Sequence, residues 1–389
     1  MAVTIGENQF IGAQVAYWRR RRGKSQRVLA DLAGMSQPYL SQIENGIRPV
    51  ERRATLVALA NALDVSIADL TGQPGDPTDP TRAAAAASVP AIREALIRRE
   101  VGELSEPHHD VLSTMEAGGA YDFATVAPRL PNLLGGLHGG DLVQVAHVGV
   151  YTLKHLGYAD LARDAARLAV IEAREIGDPA WIGIAEFIRI LAMPPEMPGA
   201  PTRLAQRIAD EIQPHIDDPL ARQAYGMLHL HAALRAAVDH HADLARDHLR
   251  EAGDAADSMG EPSGDLGLAR FAFGPTNVGF WTVSVQLELG EPRLAIEAAD
   301  QVAPGRIPLA NRQAPFYADV ATAMAQVGRD DEAIAAFLRS EAAGPQWFRL
   351  RPTVKDTVGS IIRRTRRNSV TRQMRHAAIA ANLRDLVQD

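Results

Sequence analysis

The 389-residue chain contains no cysteine. That single absence removes disulfide scaffolds, thiolate zinc sites and cysteine nucleophiles together. No stretch approaches the ~20 consecutive apolar residues of a membrane span, so no membrane association is expected. The opening decapeptide, MAVTIGENQF, lacks a basic segment followed by an apolar run. A signal peptide is therefore not expected, and the expected location is cytoplasmic. Aromatic residues are scarce at 5%, and strand-like alternation of apolar and polar positions is missing. Catalytic signatures are missing too: there is no HExxH, no GxSxG, no phosphate-binding loop and no strand–GxGxxG–helix. Histidine is plentiful at twelve, but His229 and His231 fall on different faces of a helix, while His108–His109 and His240–His241 are adjacent pairs. None of these has ligand spacing, so the sequence predicts no metal, no cofactor and no enzymatic activity. LLGGLHGGD (133–141) is Gly-rich but lies between helical segments and reads as a turn.

What is present is a soluble composition, 46% apolar and 23% charged, with the charge unevenly divided. The net charge is −6. Residues 1–72 hold nine basic side chains against six acidic ones, a balance of +3 that leaves −9 on the remainder. A small basic module on an acidic body suits a chain whose larger part has a separate task.

The basic module reads as five helices. IGAQVAYWRRRR opens it and Gly23 stops it. Ser25 caps SQRVLADLA, a turn follows at Gly34–Met35, and Ser36 caps QPYLSQIENG. Leu29, Ala30, Met35, Leu40 and Ile43 form the apolar face of this two-helix unit; Ala30 is small where the helices cross, and Gly34 supplies the positive φ of a tight turn. A fourth helix is expected over 55–63 and a fifth over 66–70. The stretch KSQRVLADLAGMSQPYLSQIENGIRPVERRATLVALANALDVSIADL resembles the Cro/C-repressor, or XRE, family of helix-turn-helix domains, the lambda-repressor-like five-helix fold. The resemblance runs without a gap through both helices of the motif, over about 60 residues. It implies a double-stranded DNA partner and a second motif helix lying in the major groove. Position by position, Gln37, Ser41 and Gln42 are then expected at base edges, with Pro38 and Tyr39 beside them and Ser36 at the helix start. Pro38 stands where a polar residue is commoner, and Tyr39 is either exposed or packed on Arg48. Gln26 is expected to hold a phosphate and brace Gln37, and Asn45 to touch phosphate. Two of Arg19–Arg22, assigned as Arg19 and Arg22, are expected to face the DNA backbone.

GQPGDPTDP (72–80) carries three prolines and two glycines and marks a domain boundary. The expected organisation is a DNA-binding domain over 1–72, a linker and connector helix over 73–104, and a helical repeat domain over 105–389. In the last of these, Gly/Pro/Asp punctuation recurs at 177–179, 217–219, 260–262 and 290–292. Residues 313–345 follow tetratricopeptide (TPR) spacing most closely: Tyr317, Val320, Ala321 and Met324 precede the turn GRDD, Ala333 and Phe337 follow it, and Pro345 closes the unit. Weaker copies run over 150–170 and 283–302, with a degenerate one over 117–134. The fold class is therefore all-α, a helix-turn-helix domain plus a TPR-like α-solenoid.

A DNA-binding domain ahead of such an array resembles peptide-sensing regulators and the Ala- and Arg-rich regulators of GC-rich bacteria. The resemblance implies a homodimeric transcription regulator whose array binds a small molecule or a peptide, or else another protein. Candidate ligand residues are Asn277, Phe280, Trp281, Asn311, Arg312 and Tyr317. The asparagines either clamp a peptide backbone or cap helices, and the aromatics line a groove or fill the inter-repeat core. Six arginines between Arg363 and Arg375, with no acid among them, form either a capping segment or a further contact surface.

Overall fold

The computed structural model describes residues 11–71, 80–194, 197, 199–262, 271–365 and 369–387. The boundary segment expected over 72–80 lies outside them except for Pro80. Every regular element among the described residues is helical.

Five helices make the N-terminal domain: α1 (Ile11–Arg21), α2 (Gln26–Leu32), α3 (Gln37–Glu44), α4 (Arg53–Leu63) and α5 (Ile67–Thr71). They close on Val15, Leu29, Leu40, Ile43, Leu59 and Leu63, all buried in one cluster. Each such side chain contributes roughly 1.5–3 kcal/mol on leaving water, so the domain has a core of its own. The Ser25 and Ser36 hydroxyls accept from the amides of Val28 (3.2 Å) and Tyr39 (3.3 Å), capping α2 and α3 as their residue type predicts. Gly34 takes φ +65° in the turn between them. Against α3 the backbone of α1 approaches so closely that a Cβ on Gly12 would stand 1.9 Å from the Ile43 carbonyl oxygen.

The chain then builds α6 (Pro80–Ala86) and α7 (Val89–Glu100), followed by three short helices, α8 (Val111–Gly119), α9 (Phe123–Val126) and α10 (Leu130–Gly136). The segment 117–134, expected to be an opening hairpin, is instead divided among these three. Asp110 and Asp122 cap α8 and α9 through their carboxylates and interrupt the helical run. Val89, Ile92 and Leu96 of α7 are buried in the same core as Leu130, Leu133 and Leu134 of α10. The connector is thus packed into the array.

Paired helices follow: α11 (Gly139–Leu156) with α12 (Ala159–Ile176), α13 (Pro179–Ala192) with α14 (Ala200–Ile212), α15 (Pro219–Val238) with α16 (Ala242–Met259), α17 (Pro275–Glu288) with α18 (Pro292–Asp300), and α19 (Ala310–Gln326) with α20 (Asp330–Ala343). α21 (Pro345–Arg349), α22 (Pro352–Arg364) and α23 (Arg372–Ala380) end the array. Each first helix packs on the next first helix, from α11 through α13, α15 and α17 to α19 and then α22. The second helices of the pairs do not form such a row, so the stack is an α-solenoid whose first helices share one face. Alanine lets the pairs close up: Ala162, Ala165, Ala166, Ala169 and Ala173 of α12 are all fully buried. The punctuation read at 177–179 and 290–292 falls between helices, with Asp178 capping α13 through the amides of Ala180 and Trp181. Met374, Ala377 and Ala378 of α23 are buried over the last pair, so this helix caps the array. Arg366 and Arg367 lie outside the described residues.

The N-terminal domain docks on this array. Asp356 of α22 accepts from the Val50 amide at 2.7 Å, and Ser360 donates to the Ile47 carbonyl at 3.3 Å. Arg363 donates to the Gly46 carbonyl through Nη2 at 2.7 Å. The N-cap position of α4 is Arg52, which makes no side-chain cap. Glu288 of α17 fills that role from the other domain, accepting from the Ala54 amide at 3.2 Å and pairing with Arg53 at 3.3 Å. A carboxylate at a helix N-terminus satisfies an orphan amide and meets the positive end of the helix dipole.

Candidate functional site

Two surfaces collect the residues singled out by the sequence. The first is the outer face of α3. The cap at Ser36 fixes its start, the burial of Leu40 and Ile43 fixes its rotation, and Gln37, Pro38, Gln42 and Asn45 are left exposed. Ser41 and Tyr39 are half-buried. The Arg48 guanidinium lies 5.1 Å from the centre of the Tyr39 ring, so this tyrosine is packed on Arg48. Asn45 turns its amide back along the helix, donating to the Ser41 carbonyl at 2.8 Å and the Ser41 hydroxyl at 3.3 Å. Docking uses residues from Gly46 onward and α4, and so leaves the N-terminal half of α3 uncovered.

Two expectations for this surface change, those for Arg19 and Gln26. Arg19 does not face outward: it pairs with Glu44 through Nε at 2.5 Å and Nη2 at 2.8 Å, tying α1 to the end of α3. Arg22 is exposed as expected and also donates to the carbonyls of Leu63 (3.1 Å) and Asp64 (2.7 Å) at the end of α4, where the C-terminal carbonyls of a helix attract a cation. Gln26 braces Glu44 at 2.9 Å instead of Gln37. Arg20, Arg21, Arg22, Arg27 and Arg48 are exposed in this domain.

The second surface is the row of first helices. Between it and the docked domain lies a cavity of about 1010 Å³. It is lined by Asn277, Phe280, Trp281, Asn311 and Arg312, so the structure brings five of the six candidate ligand residues together. Tyr317 is excluded. Successive helical residues are rotated by about 100°, so Arg312, Phe316 and Asp319 share the face turned to the cavity, while Tyr317 faces α20, 6.0 Å from Arg339. Asn277 and Arg312 both donate to the Phe271 carbonyl, at 3.1 Å through Nδ2 of Asn277 and Nη2 of Arg312. That pins residue 271 to the array. The Oδ1 atoms of Asn277 and Asn311 are buried without a hydrogen-bond partner.

The rest of the wall carries residues that no sequence motif marked. Tyr151, Lys154 and His155 come from α11, His231 and Arg235 from α15, and Arg351 from the turn before α22. The N-terminal domain closes the far side with Arg53, Leu56 and Ala60 of α4. Burial, with Arg53, Arg351 and Arg235 adding repulsion, pushes Lys154 down to about 7. Burial, and after it Arg53, lowers Arg351 to about 10; burial, and after it Arg351, holds His155 down at about 3. His231 is likewise held well below its ordinary value by burial, then by Arg235 and Lys154. Away from this cavity, His229 and His248 meet through their Nδ1 atoms at 3.0 Å inside the α15–α16 pair. No group of three or more metal-type ligands occurs among the described residues.

No helix among the described residues is long and apolar enough to cross a membrane. Comparison with curated proteins and with solved structures returns no significant match. Residues 11–71 match the model of a family described as a helix-turn-helix domain, the span of α1 to α5. The chain therefore carries an N-terminal helix-turn-helix DNA-binding domain, set on an all-helical solenoid.

Proposed function

We propose that the protein is a sequence-specific transcription regulator of the XRE type that reads DNA through α3 and is controlled by a ligand in the solenoid. The observation that carries this reading is the exposed face of Gln37, Pro38 and Gln42 on a helix whose cap, core contacts and docking contacts all lie elsewhere. Glutamine suits adenine, offering a donor and an acceptor to the base edge. The solenoid is TPR-like in this reading, and two copies of the chain bind half-sites about one helical turn apart on an inverted repeat. Its function is regulatory and not enzymatic. A concave cleft between two domains favours a small effector over a protein partner, which would need an open apolar face. Because α4 forms part of the cavity wall, an occupant contacts the DNA-binding domain directly. It can then favour one docking geometry over another, as control by a ligand requires.

Selection of genomic DNA fragments by the purified protein, followed by sequencing, tests this. One inverted repeat is expected from the wild type and none from Gln37→Ala/Gln42→Ala. Unpatterned DNA from both proteins would remove α3 as the reading element.

A further inference from the structure

Residues 46–50 join α3 to α4, and both domains hold them. Their amides turn back to α3: Gly46 donates to the Ile43 carbonyl at 2.9 Å, while Ile47 and Arg48 both donate to the Gln42 carbonyl, at 2.9 and 3.1 Å. The Arg48 guanidinium rests over the Tyr39 ring of the same helix. Other backbone groups of this turn face the solenoid, and one helix receives them. Arg363 of α22 donates to the Gly46 carbonyl through Nε at 3.1 Å and Nη2 at 2.7 Å. Ser360 donates to the Ile47 carbonyl at 3.3 Å, and Asp356 accepts from the Val50 amide at 2.7 Å. The three side chains recur at intervals of four and three residues, which places them on one face of α22. Asp356 and Ser360 are buried, so these bonds are made away from water, where losing one partner strands the other. Gly46 has φ +66°, and a Cβ there would stand 3.4 Å from the Arg363 guanidinium.

The other end of the same helix reaches the cavity. Pro352 and Thr353, the first residues of α22, line it together with Leu350 and Arg351. Asp356 follows Thr353 by three residues, less than one helical turn. α22 is 13 residues long, about 20 Å, and a helix of that length shifts as a unit. One rigid element therefore has its first turn in the cavity wall and its last two turns on the backbone that leads out of α3.

We propose that α22 is the lever through which the solenoid sets the pose of the reading helix. Asp356, Ser360 and Arg363 are positioning residues: they fix the backbone of 46–50, and the amides of that turn fix the Gln42 carbonyl. A group seated against Pro352 and Thr353 displaces α22 and so changes where Gln42 meets a base. This rests on the reading of α3 as the element that reads DNA and of the cavity as an effector site, and names the path between them.

The test uses the full-length chain and compares affinity for a selected operator with affinity for a random duplex at one salt concentration. Ser360→Ala/Arg363→Met, with a wild-type helical signal, is expected to lower the operator-to-random ratio by about fivefold or more. Arg363→Lys keeps a donor for the Gly46 carbonyl and is expected to keep most of the ratio. Thr353→Trp adds bulk at the cavity end of α22. It is expected to shift the ratio by about threefold or more in the wild-type background, and to have no effect once Ser360 and Arg363 have been replaced. A wild-type ratio in Ser360→Ala/Arg363→Met would overturn the proposal. So would an equal shift, or none, from Thr353→Trp in the two backgrounds. Hydrogen exchange at the Ile47 and Arg48 amides separates this from the reading beneath it. Lost protection there in the double variant, beside a wild type that selects no operator, would keep α22 as the holder of the turn and remove α3 as the DNA reader. Unchanged protection would overturn the proposal, whatever DNA the wild type selects.

Discussion

At the scale of single residues, Glu44 joins three elements of the DNA-binding domain, because Arg19 of α1 and Gln26 of α2 both bond its carboxylate at the end of α3. The side chains of Arg19 and Glu44 are 14% and 4% exposed, so the pair is poorly screened by solvent. Glu44→Ala leaves a guanidinium and an amide without their acceptor, and is expected to cost about 2–3 kcal/mol. A lower urea midpoint at unchanged slope checks it; an unchanged midpoint would mean that the pair is not stabilising. Gly12→Ala is expected to be at least as severe as ordinary overpacking, about 1–3 kcal/mol, since its Cβ would lie 1.9 Å from a backbone oxygen that cannot rotate away. Thermal melting with operator binding reads that outcome, and wild-type values for both would contradict the close approach of α1 and α3. The arginine run illustrates what a sequence hides at this scale. Two of the four consecutive arginines, Arg19 and Arg22, are expected at the DNA backbone, yet helical rotation turns Arg19 inward to Glu44 while Arg22 stays exposed.

At the scale of elements, the join between the domains depends on buried carboxylates. Burial pushes Asp356 up to about 6, against the opposing pull of the Val50 amide, Arg363 and the Ile11 amide. Burial also pushes Glu51 up to about 7, with Gln326, Arg364 and Arg48 opposing and Asp356 reinforcing. Glu288 is raised by burial as well, against Arg53 and the Ala54 amide. An acid whose pKa is higher when docked binds its proton more tightly in that state, so its contribution to docking is fully present at low pH. It is lost as pH rises through about 6 for Asp356 and about 7 for Glu51. Hydrogen exchange at Val50 and Ala54, corrected for intrinsic rate, is therefore expected to show less protection above neutrality than near pH 6. Equal or greater protection at the higher pH would contradict it, and Asp356→Asn should flatten the dependence at Val50. Helices were the legible part of the molecule. The serine caps, Gly34 and the α19–α20 unit carry their signals within a few residues. Residues 117–134 were not legible, because aspartate caps divide an otherwise helical pattern. The cap that Glu288 supplies to α4 lies 234 residues away, and no local pattern announces it.

At the scale of the whole molecule, the proposed function is divided between the exposed helix α3 and a cavity that has α4 of the same domain in its wall. The cavity's lining was only partly readable: Asn277, Phe280, Trp281, Asn311 and Arg312 cluster within two repeats, whereas Lys154, Arg235 and Arg351 belong to separate ones. Their convergence is a property of the stack, which brings first helices together whatever their distance in sequence. Glu288→Ala/Asp356→Ala is expected to release the DNA-binding domain while both cores persist, raising the radius of gyration seen by X-ray scattering. An unchanged radius would assign docking to apolar contacts alone.

Recognition of specific DNA by α3 is tested most directly by titrating one selected operator and one random duplex, at fixed salt, against the wild type and Gln42→Ala. The variant should weaken operator binding by about 1–3 kcal/mol while random-duplex binding, set by phosphate contacts, stays the same. Equal losses on both duplexes, or none on the operator, would contradict the assignment of α3 as the element that reads sequence.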